Sequence, residues 1–503
     1  MFPNSAIPVG LARTEPTYAG LKPPYGPGKA LPELADLLDN ASADEPYNHV
    51  YAAVRAALWS LGLDAKHFGS TDWNPLGTLT PRGSHIVLKP NFIRHWNPKA
   101  DTHSGHASIE SVITHGTVLR AVVDYAFLAA GVEGSVTIAE APQHDCDFEQ
   151  IREIAGLDDL VRFYDEKLGR ELEIIDLRRE SATYRDAVIT ERHPLPGDPH
   201  GYRMIDLGRS SAFEQSGLDP QRFRGADYDP GPTTEHHRDG KNEYLLSETV
   251  LSADLVVNLP KLKTHKKTGV TLALKNLVGI NGDKNFLPHH CVGSVDQGGD
   301  EYPGSSWFDA IRSRGTEIGR SLLKRQVGTK SIQWLRRVEK AIRGNDFIRS
   351  GNWYGNRTTW RMCVDLNRCL YYSDAKGEDF EAPEPSRKVL TVMDGVIAGE
   401  GDGPLAPGNV SLGVIIAATD PIALDLVALR LMGFDEQNIP KICEPMTDHK
   451  LRVTDVRSPE DVIVYEVNAQ SHEMQRRPLN EIRCEHVFLA HPGWIGHIER
   501  GSA

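Results

Sequence analysis

The chain has 503 residues, 40% apolar and 25% charged, which is enough to bury a large core and excludes a small disulfide scaffold or an isolated binding peptide. Its 45 glycines and 32 prolines predict long structured loops. A formal net charge of −13 excludes wholesale nucleic-acid binding, which needs clustered excess Lys and Arg, so no nucleic-acid partner is expected.

Six cysteines stand at 146, 291, 363, 369, 443 and 484, with no C-x-x-C pair and no zinc-like spacing. They read as reduced, solitary thiols of a cytoplasmic protein. Residues 1–27 never reach the apolar run of a signal peptide. No later stretch approaches the roughly 20 apolar residues that span a bilayer.

In chain order, the hydrophobic pattern predicts a helix at 49–61, a strand at 85–88 and a helix at 116–130. In that second helix Leu119, Val122, Val123, Ala126 and Phe127 share one face, and Gly131 supplies the stop. A strand at 136–139, helices at 147–155 and 157–167, and strands at 172–175 and 255–258 follow. Strands at 389–393 and 412–417, a helix at 422–431 and a strand at 462–465 complete the set. The alternation is that of an α/β fold, a mainly parallel sheet flanked by helices. Four regions are expected: an N-terminal extension with a helix (1–80), the first part of the α/β core (81–300), a basic and aromatic insertion (301–385), and the second part of the core with a tail (386–503).

The insertion stands apart in charge. Residues 312–349 hold eleven basic and three acidic side chains, a local excess of +8 that leaves −21 on the remainder. Ile332, Leu335, Val338 and Ile342 run beside these charges at helical spacing, so 331–343 reads as a basic amphipathic helix. Such a helix lies either on an anionic membrane surface or with its apolar side against the domain. A peripheral membrane contact through 312–349 is therefore one expectation.

Five predicted strands run into compact polar motifs, and in open α/β sheets ligands bind beyond the strand carboxyl ends. These motifs are Lys89-Pro90-Asn91, Glu140-Ala141-Pro142, the lysine-rich run from Lys261, Asp394-Gly395 with the glycine-rich stretch 399–404, and Thr419-Asp420-Pro421. Asp420 is placed to cap the helix that Pro421 begins. If the strands are parallel, these groups converge on one site.

The densest segment, 261–290, contains Lys261, Lys263, Lys266, Lys267, Lys275 and Lys284, with His265, His289 and His290. Thr264, Thr268, Thr271, Asn276 and Asn281 are interleaved. Ammonium and hydroxyl donors in that mixture suit a phosphate or carboxylate, and histidine can move a proton near neutral pH. Val270, Leu272, Leu274, Leu277, Val278 and Ile280 are too apolar for a free loop, so the segment should pack down and depress its lysine pKa values.

The expected anion-binding set is Lys89, Asn91, Glu140, Lys261, Thr264, Lys267, Lys275, Asn276, His289 and His290, with His265, His115 and Lys263 as the catalytic candidates. His115 opens a helix, where the dipole favours negative charge, or is merely exposed beside a capping Thr114. Asp394, Glu400 and Asp402 could hold a divalent cation or pair with lysines. Glu400 and Asp402 sit in a glycine-rich turn with no helix following, so no dinucleotide fingerprint is present, and no Walker A sequence occurs. The histidine clusters His103-x-x-His106, His236-His237 and His289-His290 are weak metal signals alone. In 352–373, Trp353, Tyr354, Trp360, Tyr371 and Tyr372 beside Arg361 read either as a sugar- or base-stacking wall, with Trp360 and Arg361 in contact with substrate, or as core.

LKPN at 88–91, ITHGTVLRAVVDY at 113–125, AEAP at 139–142, VNLPKLKTHKKTGVTLALKNLVGING at 257–282, MDGVIAGEGDGP at 393–404 and ATDPIALDLVALRLMG at 418–433 together resemble the family called domain of unknown function 362. The resemblance spans roughly residues 80–435 and implies no assigned activity. Some members of that family carry a ferredoxin module with C-x-x-C-x-x-C runs. This chain has none, so no iron–sulfur cluster is expected. The form with LPHH at 287–290 and WRMCVDLNR at 360–368 is similar to a subgroup associated with bacterial polysaccharide biosynthesis loci.

The resulting expectation is an enzyme acting on an anionic small molecule, a phosphorylated or nucleotide-linked sugar or a sugar acid, through Lys and His acid–base chemistry. An adaptor docked on anionic membrane and a metal-dependent redox protein are the alternatives.

Overall fold

Alternation of side chains across a pleated strand lets one sheet divide two hydrophobic cores, and that is how this chain is organised. Along strand Ala406–Ala418, Ile415 and Ala417 enter one core while Val414, Ile416 and Ala418 enter another. The structure, a computed structural model, describes residues 6–38, 45–100, 107–185, 188–304, 307–324, 350–373 and 384–501.

Among the described residues, eleven strands form the main sheet. They are β1 (Ile7–Arg13), β2 (His85–Pro90), β3 (Ser135–Glu140), β4 (Leu172–Asp176), β5 (Leu255–Leu259), β6 (Lys261–His265), β7 (Gly269–Val270), β8 (Lys388–Asp402), β9 (Ala406–Ala418), β10 (Val462–Asn468) and β11 (Met474–Pro478). Their spatial order is β11-β10-β1-β9-β8-β5-β2-β3-β4, with β6 continuing beside β8 and β7 pairing with β6. The run from β8 through β5, β2 and β3 to β4 is parallel throughout. The β8–β9 hairpin and the β10–β11 pair are antiparallel. The fold is α/β with a mostly parallel sheet, and the predicted strands all exist.

Helices cover both faces. Helices α1 (His49–Ser60), α2 (Gly116–Ala130) and α3 (Leu157–Leu168) bury their apolar residues in the first core. α4 (Leu272–Asn276) and α7 (Pro421–Met432) share the second. Between them in sequence come α5 (Trp307–Lys324) and α6 (Thr359–Tyr372). As the sequence predicts, Asp420 caps α7, accepting from the Ile422 and Ala423 amides at 2.9 Å. No helix among the described residues is long and apolar enough to cross a membrane.

Three departures from the sequence reading matter. The 1–80 segment contributes β1 to the sheet interior, between β9 and β10. The stretch 399–404 is not a free turn: Gly399, Glu400, Gly401 and Asp402 pair with 406–409 as the tip of a hairpin. Glycine is required there by close approach, since a Cβ on Gly403 would lie 2.0 Å from the Thr264 carbonyl oxygen. The aromatic stretch folds into α6, whose Trp360, Tyr371 and Tyr372 are buried. The predicted basic helix 331–343 and the His103/His106 pair lie outside the described residues.

Candidate functional site

Pro260 cannot donate a ladder hydrogen bond, and here it separates β5 from β6. The chain nevertheless keeps following β8, with Asn258 opposite Thr391, Lys261 opposite Asp394 and, beyond a bulge, Lys263 opposite Gly399. That path carries Lys261 and Lys263 inward beyond the ends of β2 and β3, and both are fully buried.

The first layer of the site is a polar lattice between strand ends. Lys89 and Glu140, one residue from the end of β2 and the last of β3, pair at 2.5 Å. Lys263 donates to Asn91 Oδ1 at 3.0 Å and to the Val112 carbonyl. Asn91 donates to Asn276 Oδ1 at 2.8 Å, and Asn276 in turn donates to Asn258 Oδ1 at 2.8 Å and to the Lys89 carbonyl at 3.1 Å. A Cβ on Gly279 would lie 1.9 Å from Glu140 Oε1 and 2.7 Å from Lys89 Cε, so only glycine fits against this pair.

Asp394 anchors a second layer. It pairs with Lys261 at 2.9 Å and accepts from the Tyr18 hydroxyl and, at 2.9 Å, from the His115 amide. His115, not Thr114, caps α2, and its Nδ1 accepts from the Thr117 amide. Its ring stacks on Tyr18 at 3.9 Å. Burial depresses the His115 pKa to about 3, leaving a neutral ring. These contacts give His115 a positioning job.

The excess positive charge lies toward α4. Lys263, Lys267, Lys275 and Lys284 are all buried. Lys284 reaches the Ala141 carbonyl at 2.7 Å and Lys267 the Ser350 carbonyl. Among the described residues the Lys275 ammonium makes no hydrogen bond, and none of these four lysines lies within ion-pair distance of a carboxylate. Burial pulls Lys263 well below the ordinary lysine value, helped by the charges of Lys261 and Lys275. It brings Lys267 and Lys284 down to about 7. Lys275 is lowered by burial too. Taking an ion out of water costs several kcal/mol unless a partner compensates it, so holding all four of these lysines charged is unfavourable.

Two histidines border the cluster as opposite tautomers. The Lys267 amide donates to His265 Nδ1 at 3.0 Å, which leaves the ring proton on Nε2. His289 Nδ1 lies 2.7 Å from the Leu287 carbonyl, which only accepts, so its Nε2 is the bare nitrogen. Burial, then the neighbouring lysine charges, hold His265 well below the ordinary value and His289 at about 3. One ring therefore offers a proton donor and the other an acceptor. His290 Nδ1 is buried and finds no hydrogen-bond partner among the described residues.

Other candidates fall elsewhere. Thr264 secures the hairpin through the Gly401 carbonyl at 3.0 Å. Trp360 carries the Arg361 guanidinium 4.2 Å over its ring, and Arg361 also donates to the Ala212 and Arg357 carbonyls. Glu400 binds His486 at 3.0 Å and Asp402 binds Lys99 at 2.6 Å, apart from Asp394. Among the described residues, no group of three or more His, Cys, Asp or Glu could hold a metal ion. The expected set of site residues left out Lys284, Tyr18 and Asn258. Lys284 is visible as the sixth lysine of the run, whereas Tyr18 gives no local signal at all.

A family profile described as Domain of unknown function (DUF362) matches residues 172–430, just over half of the chain. The chain belongs to the DUF362 family. In this DUF362 protein the matched region holds β5, β6, α4, Asp394 and most of α7, while Lys89, Asn91 and Glu140 precede it. The chain is also 25% identical over 202 residues to the Thylakoid-associated protein sll1697 of Synechocystis sp., a match spanning 40% of each protein.

Proposed function

We propose that this DUF362 protein is an enzyme that binds an anionic small molecule over Lys275 and moves a proton between it and His265 or His289. One observation supports the reading: four lysines, 263, 267, 275 and 284, are buried, the charge of Lys275 acts on each of the other three, and Glu140 is already committed to Lys89. A ligand with two or more negative charges would relieve that repulsion, as a phosphate, diphosphate or carboxylate does. Lys263 and Lys284, held to carbonyls, would fix its position. His265 Nε2–H would donate to a developing oxyanion, and His289 Nε2 would accept a proton from the substrate. The similarity of the LPHH form to proteins of polysaccharide biosynthesis loci favours a phosphorylated or nucleotide-linked sugar, or a sugar acid.

The test is the unfolding temperature of the full chain against sugar phosphates, nucleotide sugars, sugar acids, inorganic phosphate and a chloride control. At least one multiply charged anion should stabilise the wild type and leave Lys275→Met unmoved. No stabilisation by any of them overturns the proposal.

A further inference from the structure

Lys275 stands on α4, a helix of five residues, too short to be stable by its own hydrogen bonds. Side chains from elsewhere grip its backbone instead. Asp425, inside α7, accepts from the Ala273 amide through Oδ1 at 2.7 Å. Lys441, in the short helix Pro440–Cys443, donates to the Thr271 carbonyl at 2.8 Å and lies 3.4 Å from Asp425 Oδ2. Asn258 donates to the Ala273 carbonyl at 3.1 Å, and Asn367 of α6 to the Leu274 carbonyl at 2.9 Å. Asp425 and Lys441 are completely buried. Between the two backbone groups that they hold, Leu272 takes a φ of 51°, a left-handed conformation uncommon outside glycine. A residue in that region persists only where its surroundings over-determine it.

We infer that Asp425 and Lys441 are a positioning pair that sets where Lys275 meets the anion, an inference that rests on the anion-binding reading above. Lys441 differs from the four lysines of the cluster in having a carboxylate of its own, and its charge acts on Lys275. For stability alone, apolar side chains of the same volume would serve equally, because a buried ion pair seldom improves on hydrophobic packing. Apolar side chains cannot, however, hold the Thr271 carbonyl and the Ala273 amide. Those two groups flank Leu272, and fixing both sets the direction in which the following turn, with Lys275, leaves. The pair thus acts through Lys275 and not on the anion itself.

The experiment compares the full chain with the double variant Asp425→Asn, Lys441→Met, which removes both ions at nearly constant volume. Its unfolding temperature should equal or exceed that of the wild type. Its affinity for inorganic phosphate, or for any other anion of the panel that stabilises the wild type, should fall at least about tenfold in calorimetry. A second readout separates positioning from mere support. In protein labelled at lysine Cε, the Lys275 NMR signal, identified by its absence from Lys275→Met, should move when anion is added to the wild type and stay still in the double variant. Should the double variant fail to fold, Lys441→Met alone, in which Asp425 keeps its amide and can take up a proton, carries the same expectations for affinity and signal. Wild-type affinity, or a Lys275 signal that still responds, in a folded variant would overturn the positioning role and leave the anion site standing. A wild type that binds none of these anions would overturn both.

Discussion

Lys263 and Asn91, 172 positions apart in the chain, meet in a 3.0 Å hydrogen bond that joins the middle of β6 to the segment following β2. The contact satisfies hydrogen-bonding capacity on both partners but not charge, because an amide oxygen carries only a dipole. The same holds for Lys284 on the Ala141 carbonyl. The site is thus pre-shaped by neutral acceptors and left electrostatically unfinished.

Lys275→Met should therefore stabilise the ligand-free protein. Replacing a buried, uncompensated ion with an apolar side chain of similar length is neutral or favourable by about 1–4 kcal/mol. Urea unfolding with and without the best anion from the panel should show a raised midpoint and a lost ligand response.

Lys89 and Glu140 should behave in the opposite way. Lys89→Met strands a buried carboxylate and should cost about 3–5 kcal/mol. Adding Glu140→Gln should recover much of that loss, because the second change removes the stranded charge. A double-mutant cycle by denaturant unfolding measures the coupling.

Lys267 and Lys284 set the pH dependence. Each is drawn from 10.5 to about 7 in the folded protein. Above about pH 7 the folded state has released protons that the unfolded chain keeps up to about pH 10, so the unfolded state holds more and stability rises with pH across that window. Below about pH 7 both states are protonated and the burial penalty is fully present. Anion binding needs the charged forms, so its affinity should run the other way and fall as pH climbs above 7. Titration calorimetry near pH 8 in buffers of different ionisation heat should record proton uptake on binding.

Gly279→Ala tests the close packing behind the Lys89–Glu140 pair. With Glu140 Oε1 only 1.9 Å from the added methyl, the pair must separate or the backbone must move. A loss of about 1–3 kcal/mol is expected, together with a weaker anion response. Gly315→Ala, in open surroundings inside α5, is the control and should raise stability by up to about 1 kcal/mol with the anion response unchanged.

The parts of this architecture that depend on local pattern could be read from the chain, and those that depend on remote partners could not. The 116–130 helix was legible because its apolar residues recur on one face and Gly131 stops it. The lysine run announced burial, since Val270, Leu272 and Leu274 leave it no solvent-facing option. β1 is obscure: seven residues interrupted by Pro8 and Gly10 carry little signal until β9 and β10 supply edges on both sides. The 399–404 stretch reads as a turn because glycines usually mark turns, yet Gly399 and Gly403 serve the tight contact between β8 and the lysine strand. Tyr18 could not be foreseen, because only the fold brings it to Asp394.

The placement of β1 also bears on how the polypeptide is born. Its partners β9 and β10 leave the ribosome some 400 residues later, roughly 20–80 seconds at ordinary elongation rates. Throughout that interval Val9 and Leu11, both later sealed in the interior, remain without neighbours on a nascent chain. A growing chain accordingly carries this strand unpaired until both of its sheet neighbours have been made.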